Sequence, residues 1–145
     1  MDKAQLIEQM KRLLANTVAF GVKAQNYHWN VTGPNFAQYH DFFGDLYEEV
    51  NGSVDATAEE IRKLGGIAPG SLARFSELSD IQDEAGVPEA AVMFVRLAND
   101  NDLILANLYA ARAIADEANA AGTLDYLESR IGCHEKHAWM LKSFN

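Results

Sequence analysis

The sequence predicts an all-α protein built as a four-helix bundle, and two observations carry this prediction. Apolar residues recur in alternating steps of three and four along four long segments, which is the period of an amphipathic helix. No segment alternates apolar and polar residues as a half-buried strand would. The length of 145 residues suits one domain, so we expect a single domain over residues 1–145.

The first two helices are defined by their apolar stripes and by the turns that end them. The first helix should end at Thr32-Gly33-Pro34. The second keeps its phase through Asn51-Gly52-Ser53, so we predict one unbroken helix that Gly65-Gly66 terminates. The first stripe is Leu6, Met10, Leu13, Thr17, Phe20 and Ala24, and the second is Phe36, Tyr39, Phe43, Leu46, Val50, Ser53, Thr57, Ile61 and Leu64.

A long connection separates these helices from the last two. Residues 67–87 are rich in Gly, Ser, Asp and Pro, with one short helix expected at SLARFSELS. Pro88 suits the first turn of the third helix, and Ala121-Gly122 should separate it from the fourth. Four long helices with one long link between the second and third predict a ferritin-like bundle with a short extra helix in the link. The two inward stripes are Phe94, Leu97, Ile104, Leu108, Ala111 and Ala115, then Leu124, Leu127, Ile131, Ala138 and Leu141.

Composition and charge exclude several classes of partner. The net charge is −9, and the Lys and Arg residues are dispersed rather than gathered in a basic patch, which disfavours direct DNA binding. No window supplies the ~20 apolar residues of a membrane span, so no membrane partner is expected. The lone cysteine, Cys133, cannot form an internal disulfide, and the start lacks the pattern of a secretory leader. A cytoplasmic location is therefore expected.

The stretch NYHWNVTGPNFAQYHDFFGD contains two histidines that lie off the apolar stripes. His28 comes near the end of the first helix and His40 in the first turns of the second, so the tight turn between them should bring the imidazoles together. At about 100° per residue, Asp55 and Glu59 lie on the same side of the second helix as His40. Such an acidic pair usually lies on a solvent-exposed face of a helix and binds nothing. Because Asp55 and Glu59 share a side of the helix with His40, the carboxylates and the histidines together are a candidate metal site.

The distance between these groups predicts a site shared by two copies of the chain. Along a straight helix, Asp55 and Glu59 lie about 22 and 28 Å from His40. One subunit cannot close that gap. A second copy running antiparallel across a two-fold axis would lay its carboxylates beside the first copy's histidines and build the site twice per dimer. The small residues Gly44, Asn51 and Gly52 would allow this close approach.

Three stretches, YHWNVTGPNFAQYH, DATAEEIRKLGG and HEKHAWMLKSF, closely resemble the Dps-type mini-ferritins, the DNA-binding proteins from starved cells. The resemblance spans the whole chain. It implies a hollow shell of twelve identical subunits with a ferroxidase centre at each two-fold interface. It also implies oxidation of Fe(II), usually by hydrogen peroxide in preference to oxygen, storage of Fe(III) mineral, and protection against oxidative stress. Carried over by position, the iron ligands are His28, His40, Asp55 and Glu59.

The resemblance fails at one ligand and extends to three further residues. The family commonly has a second-site carboxylate where this chain has Gly44. On an ideal helix Asp45 is rotated away from His40, so Asp41 is the better substitute for the missing carboxylate. We therefore expect each centre to have one iron site that binds tightly and one that binds weakly. Trp29 matches a tryptophan beside the centre, where it could intercept radicals or pack the interface. Asp125 and Glu128 match residues that line three-fold pores, although a solvated helix start explains them equally well.

The donor set fits iron, and zinc could substitute for it, because carboxylates and imidazoles suit both Fe(II) and Zn(II). Cys133 and His137 share a helical face and could also bind zinc, but His134 points elsewhere and the segment is not the His-Glu-x-x-His of a metalloprotease. The Glu-x-x-His pairs of an intra-bundle diiron site are absent from the sequence. The alternative function is a non-catalytic shell-forming or nucleoid-packing protein whose ferroxidase activity weakened with Gly44.

Overall fold

The computed structural model describes residues 2–145, and every regular element within that range is an α-helix. The all-α fold class is thereby confirmed. Helix α1 packs against α2, α3, α4 and α5, while α5 also packs against α6. The helices are α1 (Asp2–Asn30), α2 (Phe36–Gly52), α3 (Val54–Lys63), α4 (Leu72–Leu78), α5 (Ala90–Glu117) and α6 (Ala121–Lys142). No helix in this range is both long and apolar enough to cross a membrane.

The apolar stripes form the core as predicted, with two exceptions. Ala138 on α6 is partly buried but does not pack against the core. Phe20, Phe43 and Phe94 are buried in the core. Phe36, the first residue of the second stripe, is instead 44% exposed, and its ring stacks on His40. The second stripe therefore enters the core only after the first turn of α2.

The predicted second helix is divided by a single residue, so the prediction of one unbroken helix was wrong at Ser53. The N–H and Oγ of Ser53 both donate to the carbonyl of Val50, at 3.1 and 2.7 Å, which tightens the turn. The carbonyl of Ser53 in turn accepts from the hydroxyls of Thr57 and Tyr126. Ser53 keeps right-handed helical dihedrals (φ −89°, ψ −7°), so α2 and α3 continue as one interrupted rod.

Two helix ends show how the chain turns. After α3, Gly65 has φ +95°, and the N–H of Gly66 donates to the carbonyl of Ile61 at 3.0 Å, which is the Schellman arrangement predicted for Gly65-Gly66. After α5 the left-handed residue is Asn119 (φ 56°).

The limits of α5 and α6 differ from the predicted ones because the backbone turns elsewhere. The turn between these helices is made at Asn119, so Ala121 and Gly122 belong to the first turn of α6 rather than to a separator. Pro88 lies before Glu89, the N-cap residue of α5, and not within the first turn of that helix.

The long connection is fastened to the bundle by buried polar groups. The side-chain oxygen of Asn16 on α1 accepts from the N–H of Asp80 at 2.8 Å. The hydroxyl of Tyr27 donates to Glu84 at 2.7 Å, and burial raises the pKa of this tyrosine well above its usual value. The predicted short helix is confirmed as α4, capped by the Ser71 side chain. These bonds hold the segment after α4 against α1.

Candidate metal centre

The two predicted histidines meet where α1 ends and α2 begins. The imidazoles of His28 and His40 stack with their ring centres 3.9 Å apart and their planes 14° from parallel. Nδ1 of His28 lies 2.6 Å from the carbonyl oxygen of His40, and Nδ1 of His40 lies 2.7 Å from the carbonyl oxygen of His28. The turn therefore closes into a symmetrical pair of side-chain-to-backbone bonds.

These bonds decide which ring nitrogen carries the hydrogen. A carbonyl oxygen can only accept, so Nδ1 of each ring must donate. In the neutral imidazoles Nε2 of His28 and of His40 then keeps its lone pair, and neither atom has a hydrogen-bond partner within residues 2–145. Metal-binding histidines commonly donate from one ring nitrogen to a carbonyl and bind the metal through the other, which is the arrangement of these two rings.

The predicted carboxylate ligands lie on α3, apart from the histidines. Asp55 stands in the first turn of α3 and Glu59 one turn later, and both are exposed. Neither has an ion pair or side-chain hydrogen bond to the rest of the described chain. Among the described side chains, residues 3–145, no three His, Cys, Asp or Glu groups lie close enough together to hold a metal ion. The histidine pair and the two carboxylates therefore do not form one metal-binding cluster within a single copy.

The other predicted site residues take different positions. Asp41 is exposed on α2, one residue after His40. Asp45 lines a groove between α2 and α6, away from the histidine pair, in agreement with its predicted rotation. Trp29 is 64% exposed beside His28 and is not packed within the subunit. Asp125 and Glu128 are exposed near the start of α6, and Glu128 lies 3.4 Å from Arg112.

Comparisons with known proteins identify the family of this chain. A family described as "Ferritin: Ferritin-like domain" matches residues 7–145. The chain is 39% identical over 135 residues to the DNA protection during starvation protein of Brevibacillus brevis, covering 93% of this chain and 91% of that relative. The chain belongs to the Dps-type mini-ferritins. The recognition from the sequence is thereby confirmed.

Solved structures of Dps proteins share the fold of this mini-ferritin over nearly its whole length. The crystal structure of a Dps protein from Bacillus brevis has a TM-score of 0.94 at 37% identity, covering 99% of this chain and 96% of that one. The X-ray structure of Dps from Thermosynechococcus elongatus has a TM-score of 0.96 at 29% identity, covering 99% and 91%.

A second polar cluster joins α2 to α6 in this mini-ferritin and was missed at the sequence level. Arg130 binds both carboxylate oxygens of Glu49, at 2.7 and 3.0 Å. Nε2 of His137 lies 2.6 Å from the same carboxylate. The bonds from His137 and Arg130 hold the pKa of Glu49 well below its usual value, although partial burial opposes them. The cluster is thus an ion-pair network that ties two helices together.

His134 extends this network into the core. Its Nδ1 lies 2.7 Å from the amide oxygen of Asn101, and its Nε2 lies 3.1 Å from Arg130, which can only donate. His134 is therefore neutral, and burial, with Arg130 nearby, lowers its pKa to about 3. In the CHEKH segment, His134 and His137 are thus hydrogen-bonded to neighbouring helices, while Cys133 is a partly exposed free thiol. The signal that could have revealed this was Arg130, one helical turn before His134.

Proposed function

We propose that this mini-ferritin oxidises Fe(II) at centres shared by two copies of the chain and stores the Fe(III) inside a hollow dodecamer. The observation that carries the proposal is the division of the ligands. His28 and His40 present two free Nε2 atoms at one end of the rod, while Asp55 and Glu59 stand unpaired about 22 and 28 Å away. An antiparallel second copy makes both halves complete, and two-fold contacts are the commonest in homo-oligomers.

Apolar surface beside the histidines supports an interface there. Val22 and Trp29 are two turns apart on one side of α1 and are 55% and 64% exposed. Leu72 on the adjoining α4 is 83% exposed and borders a groove of about 300 Å³ with Val22 and Phe75. Exposed apolar groups clustered in this way are typical of a surface that a partner covers. We propose that the partner is the second copy.

The chemistry follows from the donor set. Imidazole nitrogens and carboxylate oxygens bind Fe(II), and anionic oxygens bind the Fe(III) product more strongly, which favours oxidation. Two Fe(II) ions give one electron each to hydrogen peroxide, and with two protons the products are two Fe(III) ions and two water molecules. This two-electron path avoids the hydroxyl radical that one Fe(II) alone would release. Oxygen is the alternative oxidant.

The missing carboxylate at position 44 makes the two iron sites unequal. One site binds iron tightly through His28, His40, Asp55 and Glu59. The second binds more weakly, because it relies on water and on the exposed Asp41. Zn(II) would compete for the same donors. We expect the unequal sites to change the rate of oxidation more than the class of reaction.

Acidic groups would guide iron towards the protein interior. Twelve copies of a chain with charge −9 carry about −108, a field that attracts cations. Asp125 and Glu128 are proposed to line the pores. The ion pair with Arg112 partly neutralises the negative charge of Glu128. The name of the Brevibacillus relative refers to DNA protection during starvation. Removal of Fe(II) and peroxide would supply such protection, and the lone Cys133 fits a reducing cytoplasm.

The proposal is tested by adding Fe(II) to metal-free protein without oxygen and then adding peroxide. A saturable Fe(III) absorbance above that of buffer is expected, with the iron retained on the assembled protein during size-exclusion chromatography. An absorbance no greater than that of buffer would favour the alternative, a non-catalytic shell-forming or nucleoid-packing protein. A variant with His28→Ala and His40→Ala is the control, since it should lose fast oxidation while the assembly keeps its size.

A further inference from the structure

A groove between α2 and α6, with a volume of about 320 Å³, is lined by three side chains that carry sulfur or nitrogen donors. The thiol of Cys133, the imidazole of His137 and the thioether of Met140 enter it from α6. At about 100° per residue, these three positions fall within about 60° of one another around the helix. The three donors therefore share one face of α6 and one space.

The direction of helical side chains brings these donors towards one another. His137 lies one turn, about 6 Å, beyond Cys133, and Met140 lies about 4.5 Å further along the axis. Side chains of a helix lean towards its N-terminus, so His137 and Met140 lean back towards Cys133. Methionine is also long, unbranched and adaptable. A cation held between Cys133 and His137 is therefore within reach of the Met140 sulfur.

One ring nitrogen of His137 is held, and the other is free to bind a ligand. Nε2 lies 2.6 Å from the carboxylate of Glu49, which can only accept, so Nε2 carries the hydrogen. In the neutral ring Nδ1 then keeps its lone pair, although the residue is only 9% exposed. Nδ1 has no hydrogen-bond partner among residues 3–145, where the one fully enclosed unpartnered side-chain N or O atom belongs to Asp100. Nδ1 of this buried histidine is therefore open to the groove that the ring lines.

Glu49 holds the ring of His137 in the way that metal-binding histidines are commonly held. Such histidines donate from one ring nitrogen to a carboxylate and bind the metal through the other. Arg130 binds both oxygens of the same carboxylate, so its charge balances that of Glu49. Asp45 and Lys136 also line the groove, and their opposite charges offset one another. The groove therefore favours a cation whose charge the cysteine thiolate alone can neutralise.

We propose that Cys133, His137 and Met140 form a binding site for Cu(I). Thiolate and thioether sulfur are the soft ligands that select Cu(I). The thiol proton passes to solvent when Cu(I) binds, so the cation and the thiolate together are neutral. Among the side chains of residues 3–145, no third His, Cys, Asp or Glu joins Cys133 and His137. The four ligands of a structural zinc site are therefore not supplied, whereas Cu(I) accepts fewer.

Competition with bicinchoninate, a chelator that is coloured only when it holds Cu(I), tests the site. Metal-free assembled protein is titrated with Cu(I) in the absence of oxygen and of added thiols. Wild type should withdraw one equivalent of Cu(I) per subunit from the chelator, and Cys133→Ser should withdraw none. His137→Gln, which keeps a donor for Glu49, and Met140→Leu, which keeps the volume, should each bind Cu(I) more weakly. A lost ligand should cost at least the roughly tenfold that is usual when the group orienting a ligand is removed.

Two controls separate this site from the rest of the protein. Lys136 lines the same groove from the same helix but carries no soft donor, so Lys136→Gln should bind Cu(I) as wild type does. The double variant His28→Ala with His40→Ala should also bind as wild type does, because the two proposed sites share no residue. Circular dichroism and size-exclusion chromatography establish that each variant folds and assembles.

Three outcomes of the titration would overturn the proposal. Equal Cu(I) binding by wild type and Cys133→Ser would exclude the thiol. Wild-type affinity in both His137→Gln and Met140→Leu would show that a bare thiol binds the ion and that no site is built around it. Loss of binding in the double histidine variant, with Cys133→Ser unaffected, would place Cu(I) at the proposed iron centre instead.

X-ray absorption of the Cu(I)-loaded protein supplies a direct view of the ligands. The copper edge should show both sulfur and nitrogen neighbours, and the nitrogen contribution should disappear in His137→Gln. Coordination by sulfur alone in wild type would refute the role of His137. Zn(II) added at the same concentration should not displace Cu(I), because the site lacks the ligands that zinc requires. Displacement of the bound Cu(I) by zinc would contradict the selectivity argued here.

Discussion

Arg130 on α6 binds both carboxylate oxygens of Glu49 on α2, with N–O distances of 2.7 and 3.0 Å. The arginine side chain is 9% exposed and the glutamate 37% exposed, so one partner of this pair is buried and the other reaches solvent. His137 binds the same carboxylate from one side. The helix α2, which carries the proposed ligand His40, is thereby fixed to α6.

Replacing Glu49 with alanine should lower stability, because it would leave the Arg130 charge buried without its partner. We expect a loss of about 2 kcal/mol, at the lower end for a broken charged pair because solvent can partly replace Glu49. Thermal unfolding of the assembled protein measures this. Glu48→Ala is the control, because Glu48 is exposed and has no ion pair within residues 2–145. Equal melting temperatures for the two variants would show that the network contributes nothing.

Mixed assemblies test whether each centre takes ligands from two copies. One parent carries His28→Ala with His40→Ala, and the other carries Asp55→Asn with Glu59→Gln, so neither alone has an intact centre. In a mixed dimer one centre loses all its ligands and the other keeps every ligand. Random pairing of equal amounts should therefore restore about a quarter of the wild-type ferroxidase rate in a two-fold dimer.

The outcome distinguishes the two possible locations of the centre. If all four ligands of a centre came from one copy, mixing would restore nothing, since every subunit would carry a defect. The control is each parent assembled with itself, purified by the same route and checked for size and helical content. Failure of the mixture to exceed its parents, with assemblies of normal size, would refute the shared centre.

The sequence predicted the histidine pair because its determinants are local. His28 and His40 flank a turn whose Gly33 has φ +117°. The apolar stripe of each helix determines which of its faces points to the core, and so where the histidine on that helix lies. The core residues of the four long helices were predictable for the same reason. Phe36 was misassigned because its ring packs on His40, a contact that helical periodicity does not encode. Ala138 was also predicted to face the core but does not pack against it.

The features that the sequence missed depend on contacts between distant segments. The interruption at Ser53 is reinforced by the hydroxyl of Tyr126 on α6, far away in the chain. The pairing of Glu49 with Arg130 likewise requires the packing of α2 beside α6. The proposed ligands on α3 were named from the sequence only by considering a second copy, because within one chain they form no metal-binding cluster with the histidines.

DNA should not bind directly to this protein. The net charge of each subunit is −9, so the assembly repels a phosphate backbone at long range. A gel-shift experiment with duplex DNA at low salt, where electrostatic attraction is greatest, should show no retardation of the DNA. Retardation that disappears as salt is raised would reveal a basic contact surface and contradict this prediction.

Stability should fall with acidification because His134 is buried in its neutral form. Burial and Arg130 lower its pKa to about 3, whereas an unfolded histidine titrates near 6.5, so only the unfolded chain takes up the proton between these values. The stabilisation is complete above pH 6.5 and declines below it, by up to about 1.4 kcal/mol per pH unit for one proton. Melting temperatures from pH 7 to pH 5, above the acid range in which Glu49 titrates, should fall more steeply for wild type than for His134→Gln. Parallel curves would mean that His134 does not control this pH dependence.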